Sequence, residues 1–129
     1  MKLRVKGDSL RLRIGPSEVT RLVEEGRVAE TVHFAPGGDA KLTYALESSP
    51  VPGQSESLTV RYAGQEVAVV VPASLVKHWA DSSEVGLYGS VPLASGVLEV
   101  VVEKDFACLD RNDAENEDTF PHPKQGAVC

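Results

Sequence analysis

Cysteine is almost missing from this chain: Cys108 and Cys129 are its only two in 129 residues. Two thiols allow at most one bridge, which excludes the disulfide-framework class of small secreted domains. Free thiols in a reducing compartment are the expectation. Long apolar runs are also missing, and no stretch approaches the roughly 18 residues of a spanning helix. The Met1 end alternates charged with apolar residues, so it reads as neither a secretory signal nor a Ser/Arg-rich transit peptide. A cytoplasmic protein without a membrane partner is expected. Positive charge is in deficit too: net charge is -6 with a pI near 5.0. That argues against a polyphosphate partner, which demands a basic surface, so no nucleic acid is expected. Finally, the chain has no G-x-x-x-x-G-K-[ST], no G-x-G-x-x-G and no G-x-S-x-G. Phosphate-loop, dinucleotide and hydrolase-elbow chemistries have no support, and the reading leans away from an enzyme.

What is present is an ordinary globular composition, 42% hydrophobic and 25% charged. It can build one core, and the length fits one domain over residues 1 to 129 with an acidic, irregular tail from about residue 110. Charge is divided by position. Lys2, Arg4, Lys6, Arg11 and Arg13 face only Asp8 in the first fourteen residues, whereas Glu99 to Asp118 holds eight acids and two bases.

MKLRVK alternates apolar and charged residues, the period of a half-buried strand, and LRLRI repeats it in reversed phase. A two-residue turn at Gly7-Asp8 would bring Val5 opposite Leu10, Leu3 opposite Leu12 and Met1 opposite Ile14. The same register sets Arg4 across from Arg11 and Lys2 across from Arg13. Like charges directly across strands are destabilising, so that face needs an answer. Solvent and neighbouring acids are the plain one; an anion site at Lys2, Arg4, Arg11 and Arg13 is the functional one. The partner would be an anionic small molecule or an acidic protein segment. A bulged continuous strand is the structural alternative to the turn.

Gly15-Pro16-Ser17-Glu18 opens a helix, with Pro at its first position and Glu18 able to reach back to the capping amide. Val19, Leu22 and Val23 share a face, and Gly26 supplies the stop. RVAETVHF and KLTYALE read as paired strands around the Pro36 to Asp39 turn, and SLTVRYAGQEVAVVV as a second hairpin. Pro72 begins a helix with Leu75, Val76 and Trp79 inward and His78 partly exposed. VGLYGSVPL is a further strand, and GVLEVVVEKDFACL a long β-branched one suited to a central position. The expected fold is α+β: a single antiparallel twisted sheet of about seven or eight strands, open to partial barrel closure, with two short helices packed on it.

Glu99, Glu103 and Asp105 alternate onto one face of that last strand, where they would neutralise the basic hairpin. A general acid/base pair is the catalytic alternative, but no nucleophile or metal set accompanies it. Alternation from Phe106 turns Cys108 toward the core as an inert thiol, while a nucleophilic Cys108 would need His122 or His33 and a less acidic setting. The acidic run DRNDAENED does not satisfy the EF-hand template, because Ala114 and Glu115 stand at a ligand and at the glycine position. No cofactor is expected. The alternative is a divalent cation held by Cys108, Asp110 and His122, without the close-spaced ligand pairs of structural zinc.

MKLRVKGDSLRLRIGPSEV, the central GLYG, and VEKDFACL with its EDTFPHP tail together resemble a family of small uncharacterised bacterial proteins. The resemblance spans nearly the whole chain. It implies one compact α+β domain without an assigned activity, so it transfers no catalytic residue. The triphosphate-tunnel enzymes also open on a strand of alternating charge, but their E-x-E-x-K signature is absent near Met1.

Overall fold

The computed structural model of the chain describes residues 1–50, 57–106 and 119–120. Alternation near the start produces β1 (Lys2–Val5) and β2 (Ser9–Ile14), in the expected register of Arg4 with Arg11, Leu3 with Leu12 and Lys2 with Arg13. Gly7 turns the chain at φ +53°, so this is a hairpin and not a bulged strand. Next comes α1 (Pro16–Glu25), where the Glu18 carboxylate accepts the Gly15 amide at 3.1 Å and also meets the Met1 ammonium. The Gly26 amide closes it on the Leu22 carbonyl at 2.9 Å.

The chain continues through β3 (Arg27–His33) and β4 (Lys41–Ser49), then β5 (Thr59–Ala63) and β6 (Glu66–Pro72), α2 (Ala73–Asp81), and β7 (Gly86–Pro92) with β8 (Val97–Lys104). The α+β class and both helices are as expected. The single antiparallel sheet is not. The strands form two mixed four-stranded sheets, ordered β1-β2-β8-β7 and β3-β4-β6-β5, and neither closes into a barrel. Every sequence-adjacent hairpin is antiparallel, but each sheet joins two hairpins through a parallel central pair, β2 with β8 and β4 with β6. Alternation reports which face of a strand is buried; it carries no information about which distant strand lies alongside.

That arrangement has an internal order. The chain runs hairpin, helix, hairpin twice, and exchanging β1-β2-α1-β3-β4 with β5-β6-α2-β7-β8 converts one sheet's order into the other's. Residues correspond accordingly: Leu12 pairs with Val102 as Val69 pairs with Leu46, and Gly64 turns the second hairpin at φ +60° as Gly7 turns the first. Val19 and Leu22 are buried in α1 as Val76 and Trp79 are in α2.

One core lies between the sheets. Leu12, Ile14, Val100 and Val102 from the first meet Val28, Leu46, Val69 and Val71 from the second, with Trp79 fully enclosed among them. Two side chains of each helix are fully part of the core, Leu75 of α2 packs against it as expected, and Val23 of the expected α1 stripe lies exposed. The outer face of the first sheet is left to the odd-numbered residues of β2 and β8, and to Lys2 and Arg4 of β1.

Candidate functional site

The outer face of the first sheet carries the basic ladder. In one row across the strands stand Arg4, Arg11, Val101 and Tyr88; in the next stand Lys2, Arg13, Glu103 and Gly86. The structure therefore brings Lys2, Arg4, Arg11 and Arg13 together on one surface, as the hairpin register predicts. Its acids come from the end of the chain, again as predicted, because β8 is central and parallel to β2. Arg13 Nε donates to Glu103 Oε1 at 3.0 Å, Arg11 Nε lies 3.7 Å from the same oxygen, and Lys2 Nζ meets Asp105 Oδ2 at 2.8 Å. Asp105 is only 5% exposed, so that pair lies at the sheet's buried corner.

Glu99 accepts from Ser90 Oγ at 3.4 Å and forms no ion pair with the arginines among the described residues, although it borders the same cleft. Among the described residues no carboxylate forms an ion pair with Arg4 or Lys6. Two clefts open here and share Arg4 and Arg11. One of about 220 Å³ is lined by Arg4, Lys6, Ser9, Leu10, Arg11, Glu99 and Val101. The other, about 170 Å³, is lined by Lys2, Leu3, Arg4, Arg11 and Arg13.

The second sheet shows what a closed version of this face looks like. Arg61 occupies the position equivalent to Arg4, and it grips Glu47 through two bonds of 2.9 and 2.7 Å and Glu66 at 3.1 Å. Arg27 bonds both carboxylates from the other side. Glu47 is held below the usual carboxylate range, first by its bond from Arg61 and then by Arg27 against the opposing effect of burial. Glu66 is lowered chiefly by Arg27, and the two guanidiniums are raised in return. Ala45 and Ala68, small residues between these charges, leave room for the side chains to lie across the sheet. In the first sheet Ser9 stands where Glu66 would be and Arg11 where Ala68 would be. At these two positions a carboxylate is lost and a cation gained; Arg13 also stands where Val70 would be and Gly86 where Arg27 would be, and Glu103, the counterpart of Glu47, is drawn to Arg13.

Sequence reasoning missed that four-residue network. The Arg27 to Glu47 pair was legible in the β3-β4 hairpin, but Arg61 reaches Glu47 only through the parallel β4-β6 pairing. It also missed Lys104. Period 2 sets Lys104 on the inward face with Val100 and Val102, and it is 7% exposed. Its ammonium donates to the Ser82 carbonyl at 2.7 Å and lies 5.8 Å from the Trp79 ring centre and 5.5 Å from that of Phe120. Such ring faces attract a cation. Phe106, expected in the core, is half-buried and packs its ring against Phe120 at 6.0 Å.

The metal alternative through Cys108, Asp110 and His122 falls on residues outside the described ones. Among the described residues no group of three or more His, Cys, Asp or Glu side chains is arranged to hold a metal ion. His78 stands 3.3 Å from Glu84 on the exposed side of α2, apart from the basic face. Among the described residues no helix is long and apolar enough to cross a membrane. No curated protein and no solved structure matches the chain. A family model does, over residues 1–124, and the chain belongs to that family of unknown function, DUF7009.

Proposed function

We propose that the protein is a cytoplasmic, non-enzymatic binding protein whose first sheet takes a small anion between Arg4 and Arg11. The observation that carries this reading is the contrast between two equivalent positions. Arg61 is satisfied by Glu47 and Glu66, whereas Arg4, directly across from Arg11, meets no carboxylate among the described residues. Two facing guanidiniums repel each other until an anion lies between them, and a guanidinium fork suits phosphate or carboxylate oxygens. Lys6 adds a donor on the same cleft wall, where the Ser9 hydroxyl donates to the Lys6 carbonyl, and the volume of about 220 Å³ suits a ligand of a few heavy atoms. The clefts are open to solvent, so binding is modest and weakened by salt.

Calorimetric titration with inorganic phosphate at low salt is the test. The Arg4→Gln/Arg11→Gln double variant is expected to bind about tenfold more weakly, a difference of about 1.4 kcal/mol. Circular dichroism verifies that it folds. Equal phosphate affinity in the variant overturns the reading. So does binding confined to an oligoglutamate peptide with none for phosphate, which would make the face a dock for acidic segments.

A further inference from the structure

We infer that the anion this face takes carries an aromatic ring, which lies over Val101 against Tyr88. The inference rests on the anion-binding reading and extends it along the row that begins with the arginines. Arg4, Arg11, Val101 and Tyr88 are directly opposite one another in successive strands. Neighbouring strands lie about 4.8 Å apart, so the backbones of Arg11 and Tyr88 stand about 10 Å apart with the apolar Val101 between them. That interval takes a ring over Val101 whose phosphate reaches back to the Arg11 guanidinium.

Tyr88 is 69% exposed and stands on the outer sheet face directly beside Val101. It is also seated. Its hydroxyl lies 3.1 Å, and the adjacent ring carbon 3.2 Å, from where a Cβ on Gly86 would be, so the ring leans over Gly86 and a side chain there would displace it. Val101 lines the 220 Å³ cleft together with Arg4 and Arg11, so anion site and apolar floor are continuous. A ring on that floor meets Tyr88 edge-on or offset, the geometry aromatic pairs prefer. Glu99 on the rim disfavours a second anionic group there and offers an acceptor to a ring donor.

The experiment compares methyl phosphate with phenyl phosphate, matched in charge, against wild type, Tyr88→Ala, Tyr88→Phe and the Arg4→Gln/Arg11→Gln variant. Phenyl phosphate is expected to bind wild type about tenfold more tightly than methyl phosphate, the scale of one ring contact. Tyr88→Ala should erase that preference while leaving methyl phosphate affinity unchanged, and Tyr88→Phe should keep it. Equal affinities for the two esters in wild type overturn the inference while the anion reading stands. A preference that survives Tyr88→Ala overturns it as well. Failure of both esters to bind removes the anion reading and this inference with it.

Discussion

Lys104 is the residue whose chemistry departs furthest from what its type suggests. An ammonium enclosed by Trp79, Phe120 and the Ser82 carbonyl keeps its charge at a cost, and burial holds its pKa below the ordinary lysine value, with Glu84 pulling the other way. Glu84 is itself paired to His78 at 3.3 Å. Between the lowered value and 10.5, the unfolded chain holds a proton that the folded chain has released. Stability therefore rises with pH across that interval, and below it the cost of the buried charge is present in full. Urea unfolding of wild type and Lys104→Met, at about pH 7 and about pH 10, isolates the effect because other groups titrate in both. The free-energy difference is expected to move toward wild type at the higher pH; a difference independent of pH would show that burial does not disfavour this ammonium.

At the scale of elements, one close approach between the two sheets depends on a glycine. Gly89 of β7 packs on Leu58 ahead of β5, and a Cβ there would come within 2.9 Å of the Leu58 Cβ. Leu58 is itself part of the core, so it has little space to yield. Gly89→Ala is expected to destabilise the protein by about 1–3 kcal/mol, the usual cost of overpacking. Gly37→Ala is the matched control, because nothing lies within 4 Å of its Cβ position and its backbone needs no positive φ. It should stay within about 0.5 kcal/mol of wild type. Thermal unfolding of the two variants side by side measures both; equal stabilities would mean that Leu58 yields without cost.

For the whole molecule, the exchange of hairpins between halves is decisive. Neither half holds a complete sheet, since β2 needs β8 and β4 needs β6. A fragment from Met1 to Ser49 would expose Leu12, Ile14, Val28 and Leu46, whose core partners come from the other half. It is expected to lack a cooperative transition in circular dichroism, whereas the full chain unfolds in a single step. Cooperative unfolding of the fragment alone would refute this dependence between halves. The duplicated order was not legible in the sequence because equivalent positions share burial and not identity, as Leu22 and Trp79 do. Only a few, such as Gly7 with Gly64 and Arg4 with Arg61, keep the same residue.

The sequence by itself determined the local structure: strand phases, the Gly7 turn, the cap at Glu18, both helices, and the cross-strand register that faces Arg4 with Arg11. These follow from period, capping and turn chemistry acting over a few residues. It also foresaw that Glu103 and Asp105 answer the basic hairpin, because alternation fixes a strand's face wherever it pairs. The resemblance to an uncharacterised family agrees with membership in one of unknown function, and that match says nothing of bacterial origin. Only the tertiary structure decided that the strands divide into two mixed sheets, that Arg61 is closed by Glu47 and Glu66 while Arg4 meets no carboxylate among the described residues, and that Tyr88 completes the row beside them. The reason is physical: parallel pairing joins segments far apart in the chain, and no short-range pattern records which distant strand will supply a charge.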